Sequence, residues 1–324
     1  MTDHSLAHAS PAFDFAPLDA SRRAPQVVQA LRSGVSLNEL DVHARARIER
    51  ELLASGAVLM RNFRVRSALD LRHFAESFGA PLLSYEFGST PRRKIATHLY
   101  SSTEYPAHQS IPLHNEQSYT RSWPARLWFY CQTPAAEGGE TPLADSRKVL
   151  ARIPGDVRDE LKARGLSYVR HYGHDLDLPW QQVFGTDDRE QVGRYCAEHG
   201  IEHQWLTPDL LRTAQRCQVT VLHPQSGEEV WFNQAHLFHI SSLPELAQAG
   251  LKQTLGEDRA PRNVYFADGA PIPNQLLDSV REAYRAETFC FGWNAGDVLM
   301  IDNLLVAHGR NPYVGDRKLV VAMA

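Results

Sequence analysis

The stretch Leu113-His-Asn-Glu-Gln-Ser-Tyr119 places a histidine and a glutamate with one residue between them. In an extended segment, residues i and i+2 point to the same side, so the imidazole of His114 and the carboxylate of Glu116 can reach one metal ion. The pair alone is weak evidence, because the chain has 15 histidines and 38 acidic residues and chance pairs are expected. The alternative for such a pair is an ordinary hydrogen bond at the surface or in the core.

A second histidine that could bind the same metal lies far downstream, in Leu304-Leu-Val-Ala-His308-Gly-Arg310. It ends an apolar run that is predicted to be a strand. Two imidazoles and one carboxylate form the facial triad of non-haem iron(II) oxygenases, which leaves coordination positions open for oxygen and a co-substrate. His114, Glu116 and His308 are therefore the candidate metal ligands.

Two further residues fit the binding of a carboxylate. Arg317 stands just before the final strand-like run, and a planar guanidinium suits a two-point grip on a carboxylate such as the far end of 2-oxoglutarate. Thr141, in Gly138-Gly-Glu-Thr141-Pro, offers a hydroxyl to the same carboxylate. The alternatives are a solvated surface arginine and an ordinary strand threonine after a turn.

The composition is that of an ordinary globular protein. Of the 324 residues, 43% are hydrophobic and 22% are charged, and no apolar run approaches the ~20 residues needed to cross a bilayer. The first residues have no basic flank followed by an apolar core, so we expect no export signal and a soluble, cytoplasmic protein. A formal charge of −4 gives no electrostatic reason to expect a nucleic-acid or membrane partner. The oligomeric state stays open.

The pattern of hydrophobic residues predicts one domain with a β core. Residues 1–35 show little periodicity and predict a loosely ordered N-terminal arm. Ser36-Leu-Asn-Glu39 has the form of a capping box and predicts a helix with one buried face, formed by Leu40, Ala44, Ile48 and Leu52.

Residues 36–324 are predicted to form this single domain, because strand-like runs occur both before and after a helical insertion at about 145–215. Within the insertion, short helices are predicted near 188–199 and 207–216.

Taken in order, the motifs resemble those of a known family. They are His114-x-Glu116, Gly138-Gly-Glu-Thr141-Pro, Gly296-Asp-Val-Leu-Met-Ile-Asp-Asn303 and His308-Gly-Arg-x-Pro-Tyr313…Arg317, with Ser101–Pro106, Ala144–Arg147 and Trp231–His239 in addition. Over residues 57–324 they resemble the taurine dioxygenase-like (TauD/TfdA) superfamily, and within it the clavaminate synthase and syringomycin-type (SyrP-like) hydroxylases. The resemblance implies an α+β fold with a mainly β core, a double-stranded β-helix (jelly roll) with helical insertions.

The resemblance also implies a role for each candidate residue. His114, Glu116 and His308 would bind iron(II), and Thr141 and Arg317 would hold the distal carboxylate of 2-oxoglutarate. The chemistry implied is oxidative decarboxylation of 2-oxoglutarate by O2 to succinate and CO2, coupled to oxidation of a substrate.

The implied substrate is an amino acid, hydroxylated at the β-carbon. It would be free or tethered to a peptidyl carrier domain, in nonribosomal peptide or antibiotic biosynthesis. Desaturation and epoxidation use the same iron site and stay open. Related halogenases have a small residue in place of Glu116, so hydroxylation is favoured over halogenation. Sulfonate-cleaving relatives carry a second arginine where this chain has Val321, so a taurine-type substrate is not expected.

The sequence offers one candidate for substrate contact, and two other classes of protein are alternatives to an oxygenase. Asn233, in the Trp231–His239 motif, has an amide that could donate and accept at an amino-acid head group. A metal-free β-sandwich binding protein would be expected to have lost at least one of the five site residues, and none is lost. A zinc hydrolase with the same ligands would not explain Thr141 and Arg317.

Overall fold

The computed structural model describes residues 12–19, 25–84, 92–103, 105–173, 177–256 and 259–324. The strands are β1 (Phe13–Pro17), β2 (Gln26–Ala30), β3 (Ala57–Arg61), β4 (Lys94–Ala96), β5 (Leu99–Ser101), β6 (Ile111–His114), β7 (Arg126–Thr133), β8 (Glu137–Gly138), β9 (Thr141–Asp145), β10 (Leu166–Tyr172), β11 (Glu202–Trp205), β12 (Leu211–Cys217), β13 (Thr220–Leu222), β14 (Glu229–Trp231), β15 (Arg262–Phe266), β16 (Phe289–Phe291), β17 (Val298–Asp302), β18 (Val306–Arg310), β19 (Tyr313–Val314) and β20 (Lys318–Met323). The helices are α1 (Val42–Ser55), α2 (Ala68–Glu76), α3 (Ser146–Arg152), α4 (Gly155–Arg164), α5 (Trp180–Phe184), α6 (Arg189–Glu198), α7 (Ala235–Phe238), α8 (Glu245–Leu255) and α9 (Asn274–Glu287), with 3-10 helices at Leu37–Glu39 and Ile240–Ser242.

Three sheets dominate the described part of the chain. The largest has eight strands in the order β1-β2-β3-β17-β7-β20-β5-β4. A four-stranded sheet, β16-β9-β18-β6, carries most of the predicted site residues, and a second one, β11-β12-β10-β15, lies among the helices. This mixture of helices and sheets confirms the predicted α+β class. Among the described residues, every helix is too short or too polar to span a lipid bilayer.

The eight-stranded sheet is covered on both faces, which is why its central strands are almost wholly apolar. Successive side chains point to opposite faces of a strand. Along β7, Trp128 and Tyr130 pack in a cluster with α1 and α2, whereas Leu127, Phe129 and Cys131 pack in a cluster with β9, β16 and β18. The second cluster fills the space between the large sheet and the sheet that carries the site.

The predicted N-terminal arm is wrong where the structure describes it. Strand β1 pairs antiparallel with β2, and β2 runs parallel to β3, so both belong to the large sheet. Val28 and Ala30 are buried beneath the helices. Strand β1 is held by its neighbour β2, and β2 is held by β3, about 30 residues further along the chain, which a local pattern does not reveal. Residues 1–11 and 20–24 of the predicted arm lie outside the described residues.

Two local helix predictions are also corrected. Ser36 does accept a hydrogen bond, from the backbone N–H of Asn38, but it begins a 3-10 turn, and α1 begins after Asp41, whose carboxylate accepts from the N–H of Ala44. The buried face of α1 is the predicted one, with Leu40 buried just before the helix. The helix predicted at 207–216 is largely strand β12, stabilised by ladders to β10 and β11 on either side. The insertion at 145–215 therefore contains strands as well as the helices α3 to α6.

The approach of β6 to β18 requires a glycine. Strand β18 pairs with β6 so that His308 lies opposite His114, and the register shifts between His308 and Arg310. At Gly309, within this shift, an added Cβ would lie 2.5 Å from the backbone oxygen of Ile111 and 3.1 Å from Cγ of Pro142. No real Cβ tolerates the first contact, so a side chain here would push β6 away from β18.

We expect Gly309→Ala to lower the free energy of unfolding by about 1–3 kcal/mol, the usual cost of overpacking. Gly292→Ala is the matched control, because a Cβ at Gly292 meets nothing within 4 Å. Urea denaturation of the two variants measures the difference. Equal stability of the two variants would contradict the close approach described here.

Candidate iron centre and adjoining cavities

Three side chains that sequence analysis singled out converge at one point. His114 ends β6, Glu116 lies in the turn that follows it, and His308 lies in the paired strand β18. One ligand atom from each side chain lies within 4.8 Å of the others. The two imidazole rings have centroids 4.6 Å apart. This is the only group of three histidine, cysteine or acidic side chains with such spacing in the described part of the chain.

The donor atoms are in the state that a metal requires. His114 donates from Nδ1 to the backbone oxygen of Pro112 at 2.8 Å, which leaves the lone pair of Nε2 for a metal. Nε2 of His308 lies 3.9 Å from Oε2 of Glu116. Burial lowers the pKa of His114, and burial together with the charge of Arg92 holds the pKa of His308 well below its ordinary value. Both imidazoles are thus neutral, as metal ligands are, and the donor set fits iron(II).

Sequence analysis missed an arginine at this centre. Arg92 donates from Nη2 to Oε2 of Glu116 at 2.5 Å, and the two side chains are only 3% and 6% exposed. Nothing local to Arg92 in the sequence distinguished it, because its contact with Glu116 is made by the fold and not by a short motif. The guanidinium orients the carboxylate toward the two histidines.

A narrow cavity beside the histidines contains the predicted 2-oxoglutarate residues. Thr141, at the start of β9, and Arg317, just before β20, both line it, as do His114 and His308. Oγ1 of Thr141 accepts from the indole N–H of Trp293 at 2.9 Å, so the hydroxyl keeps its own proton to donate. Nε of Arg317 donates to the backbone oxygen of Gly139 at 3.0 Å. Burial and the charge of Arg310 lower the pKa of Arg317 to about 10, so its guanidinium is charged at neutral pH.

Arg310 is a second residue whose role sequence analysis missed, although it stands in the His308-Gly-Arg motif. Its guanidinium donates to the backbone oxygens of Tyr105, Pro106 and Gln109 at 2.7 to 3.0 Å. These bonds tie the segment before β6 to β18 and thereby close one wall of the narrow cavity.

A wider cavity of about 440 Å³ opens on the other side of His114 and Glu116. Its far wall is mainly apolar and comes from the segment around α7 and α8, with Leu237, Phe238, Ile240, Leu243 and Leu251. The rest of the lining includes polar side chains, among them Arg92, Glu116, Gln234, His239 and Arg262, so this cavity offers groups that can orient a small molecule. Arg92, Thr103, Ile111 and His114 line both cavities, so the candidate metal ligands lie where the two meet.

One polar group of the wider cavity has a fixed direction of hydrogen bonding. Nδ1 of His239 accepts from the backbone N–H of Ser241 at 3.2 Å, and it lies 2.8 Å from the hydroxyl of the same residue. Arg281 donates to that hydroxyl oxygen at 2.9 Å, which leaves the hydroxyl proton for Nδ1. Burial and the charge of Arg281 lower the pKa of His239 to about 4. The ring is therefore neutral with its proton on Nε2, a hydrogen-bond donor on the cavity wall.

Asn233 is not brought to the candidate metal centre. It is fully buried, its amide nitrogen donates to the backbone oxygen of Val219 at 2.8 Å, and its amide oxygen accepts from the N–H of Ala235 at 3.0 Å. It thus fixes the start of α7. Its neighbour Gln234 and the downstream His239 line the wider cavity instead.

The comparison of the whole sequence with known families agrees with this geometry. The family model described as taurine catabolism dioxygenase TauD, TfdA family, matches residues 16–323. The dapdiamide synthesis protein DdaC of Enterobacter agglomerans is 35% identical over 314 residues, which cover 97% of this chain and 95% of that protein. A clavaminate synthase-like protein of Arabidopsis thaliana is 30% identical over 279 residues, or 83% of this chain and 81% of that protein.

The chain belongs to the TauD/TfdA dioxygenase family. Family membership confirms the prediction that it is an iron(II)- and 2-oxoglutarate-dependent dioxygenase, and the cluster of His114, Glu116 and His308 offers the matching donor set.

Solved structures of PvcB share this fold. PvcB of Pseudomonas aeruginosa has a TM-score of 0.56 at 17% identity, with 99% of this chain and 94% of that chain covered. A second structure of PvcB, described as an Fe, alpha-ketoglutarate dependent oxygenase from an isonitrile synthetic pathway, has a TM-score of 0.56 at 15% identity, with 97% and 92% covered. At these identities the likeness shows the fold alone.

Proposed function

We propose that this enzyme uses 2-oxoglutarate and O2 to oxidise an amino-acid-derived substrate in secondary metabolism. The observation that carries the proposal is the position of the three ligand side chains between two cavities. The narrow cavity has a charged guanidinium and a hydroxyl for a dicarboxylate, and the wider one has an apolar wall for a second molecule. In this proposal, the sheet β16-β9-β18-β6 and the large sheet are the two halves of a double-stranded β-helix.

His114, Glu116 and His308 are the proposed iron ligands. Iron(II), when bound, supplies the electrons that activate oxygen. The chain itself orients and shields the reactants: Arg92 holds the carboxylate of Glu116, and the ring of Phe129 packs against His308 with centroids 5.1 Å apart. This apolar wall restricts water at the reacting centre.

Arg317 and Thr141 are proposed to bind the distal carboxylate of 2-oxoglutarate. The guanidinium of Arg317 supplies charge and a planar fork of donors, and the hydroxyl of Thr141 supplies one more hydrogen bond. The indole of Trp293 fixes that hydroxyl in place. With the far carboxylate held in this way, the keto-acid end of the molecule is presented toward the three metal ligands.

We expect Glu116→Ala and His308→Ala each to weaken iron(II) binding more than about 100-fold, or about 2.7 kcal/mol, because each removes a ligand. Turnover of 2-oxoglutarate should be lost with it. Glu228→Ala is the matched control, since Glu228 also pairs with an arginine, Arg147, but lies outside the centre. Anaerobic equilibrium dialysis with iron analysis measures binding. Normal binding and activity in both ligand variants would refute the assignment.

We expect Arg317→Ala to raise the KM for 2-oxoglutarate at least about 30-fold, because loss of a buried charged partner costs about 2–5 kcal/mol. Iron affinity in the absence of 2-oxoglutarate should stay within a few-fold of the wild type. Arg317→Lys should have an intermediate KM, since it keeps the charge and loses the fork of donors. An unchanged KM in Arg317→Ala would mean that the carboxylate is held elsewhere.

The substrate we propose is an amino acid or an amino-acid derivative, hydroxylated at the β-carbon. The likeness to a dapdiamide synthesis protein supports a role in the synthesis of a small peptide metabolite. Glu116 supports hydroxylation over halogenation, and Val321, which lines the narrow cavity, replaces the arginine that a sulfonate substrate requires. Desaturation and epoxidation differ only in how the substrate is placed, so they are the second candidates. Asn233 is not part of the proposal, because both ends of its amide bind the backbone.

The test is succinate release from 2-oxoglutarate, aerobically with iron(II), over a panel of free amino acids and the same residues loaded on a carrier protein. Stimulation by a free amino acid supports a stand-alone hydroxylase. Stimulation by the loaded carrier alone supports a peptide-synthetase partner. Mass spectrometry of the product separates a gain of one oxygen from a loss of two hydrogens. No stimulation by any member of the panel would contradict an amino-acid substrate.

We expect His239→Leu to raise the KM for the stimulating substrate about 10-fold, since one donor to an acyl oxygen of the substrate is lost. His239→Gln, which keeps a donor, should retain most of the affinity. The KM for 2-oxoglutarate is the internal control, because His239 does not line the narrow cavity. Equal rises in both KM values would show a general distortion and not a lost substrate contact.

A further inference from the structure

The peptide of Glu116 is held on both sides by one buried amide. Oδ1 of Asn303 accepts from the backbone N–H of Glu116 at 2.7 Å, and Nδ2 of Asn303 donates to the backbone oxygen of Glu116 at 3.0 Å. The same Nδ2 donates to the backbone oxygen of Pro124 at 2.8 Å. Asn303 is fully buried and lies in the turn between β17 and β18. Its side chain thereby ties the glutamate to the loop that leads into the strand of His308.

Further side chains hold the residues just before Glu116. Nδ2 of Asn115 donates to the backbone oxygen of Asn303 at 2.6 Å. The side chain of each asparagine therefore binds the backbone of the segment that contains the other. Nε2 of Gln234 donates to the backbone oxygen of Asn115 at 2.8 Å, and Nε2 of His236 donates to that of Leu113 at 3.0 Å. The Gly296–Asn303 and Trp231–His239 motifs thus meet on the ligand segment, which gives a physical reason for their presence.

The turn that this network holds is costly to form. Gln117, directly after Glu116, has a backbone φ of +56°, in the left-handed region that residues other than glycine rarely adopt. Such a conformation is unfavourable for a residue with a side chain and persists only where the surroundings impose it. The conformation of this turn sets the direction of the Glu116 carboxylate. Hydrogen bonds at the peptide of Glu116 therefore act on the position of this carboxylate from its backbone side, as Arg92 does from its side-chain end.

We propose that Asn303 is a positioning residue for the iron centre, which holds the Glu116 carboxylate in line with the two histidines before the metal binds. The inference rests on the proposed role of Glu116 as an iron ligand. Asparagine suits the task because the amide offers one acceptor and two donors, and all three are used. An aspartate at this position would keep the acceptor and lose both donors.

The experiment is an anaerobic titration of the metal-free full-length enzyme with iron(II) at saturating 2-oxoglutarate. It follows the visible charge-transfer absorption that 2-oxoglutarate shows when it chelates ferrous iron. The variants are Asn303→Ala and Asn303→Asp. The matched control is Gln215→Ala, since Gln215 is also a buried amide that binds a backbone oxygen, that of His199 at 2.9 Å, away from the centre. Urea denaturation of the metal-free proteins gives the stability of each variant.

We expect Asn303→Ala and Asn303→Asp to raise the Kd for iron(II) at least about 10-fold, the scale on which groups that orient metal ligands act. The absorption band should also shift or weaken at saturation. Gln215→Ala should lower stability to a similar extent but leave the Kd within about two-fold of the wild type. A Kd within two-fold of the wild type in both Asn303 variants would overturn the proposal.

Gln234→Leu keeps the test decisive if the Asn303 variants do not fold. This variant removes only the hydrogen bond from the Gln234 side chain to the backbone oxygen of Asn115. We expect a smaller rise in the Kd for iron(II), about two- to five-fold, and no rise in Gln215→Ala. No rise in Gln234→Leu would then overturn the proposal. Failure of the proposed function can be told apart from failure of this inference. If the proposed function were wrong, the wild-type enzyme would bind no iron, or Glu116→Ala would bind iron normally.

Discussion

The pairing of β6 with β18 is the constraint on which the site depends. It sets His114 opposite His308 across two hydrogen-bonded strands, and the turn after β6 brings Glu116 to the same point. Gly309 permits the close approach, and the apolar layer between this sheet and the large sheet keeps the strands in place. Because β6 is short, the direction of its last residues depends on the buried network beyond it. The convergence of His114, Glu116 and His308 is therefore a consequence of strand register and of buried hydrogen bonds together.

The same arrangement places two cavities of different character at one centre. The strand of His308 has the narrow, charged cavity on one side, with Arg317 and Thr141, and the ligand segment borders the wider, mainly apolar cavity on the other. The first cavity is lined mainly by residues of strands β6, β7, β9, β18 and β20. The far wall of the second comes from α7, α8 and the turn between them, outside the sheet that carries the site. In the proposed function, the co-substrate therefore binds among the strands and the substrate binds against these helices.

Sequence reasoning singled out candidate residues where particular residue types occur at a fixed spacing. His114, Glu116, His308, Thr141 and Arg317 were all found in this way, and the fold brings them to one centre and one adjoining cavity. It did not single out Arg92 or the hydrogen bonds of Asn303, because these contacts join segments far apart in the chain. The strands β1, β2 and β12 were missed because their conformation is decided by their partners in the sheet and not by their own pattern.

In the proposed arrangement, an iron ion bound by His114, Glu116 and His308 lies where the two cavities meet. An anaerobic crystal structure with iron(II) and 2-oxoglutarate, with anomalous diffraction collected at the iron absorption edge, tests this arrangement. We expect one anomalous peak within bonding distance of all three side chains. We also expect 2-oxoglutarate in the narrow cavity, with its far carboxylate on Arg317 and Thr141. An iron peak elsewhere, or 2-oxoglutarate in the wider cavity, would refute the arrangement.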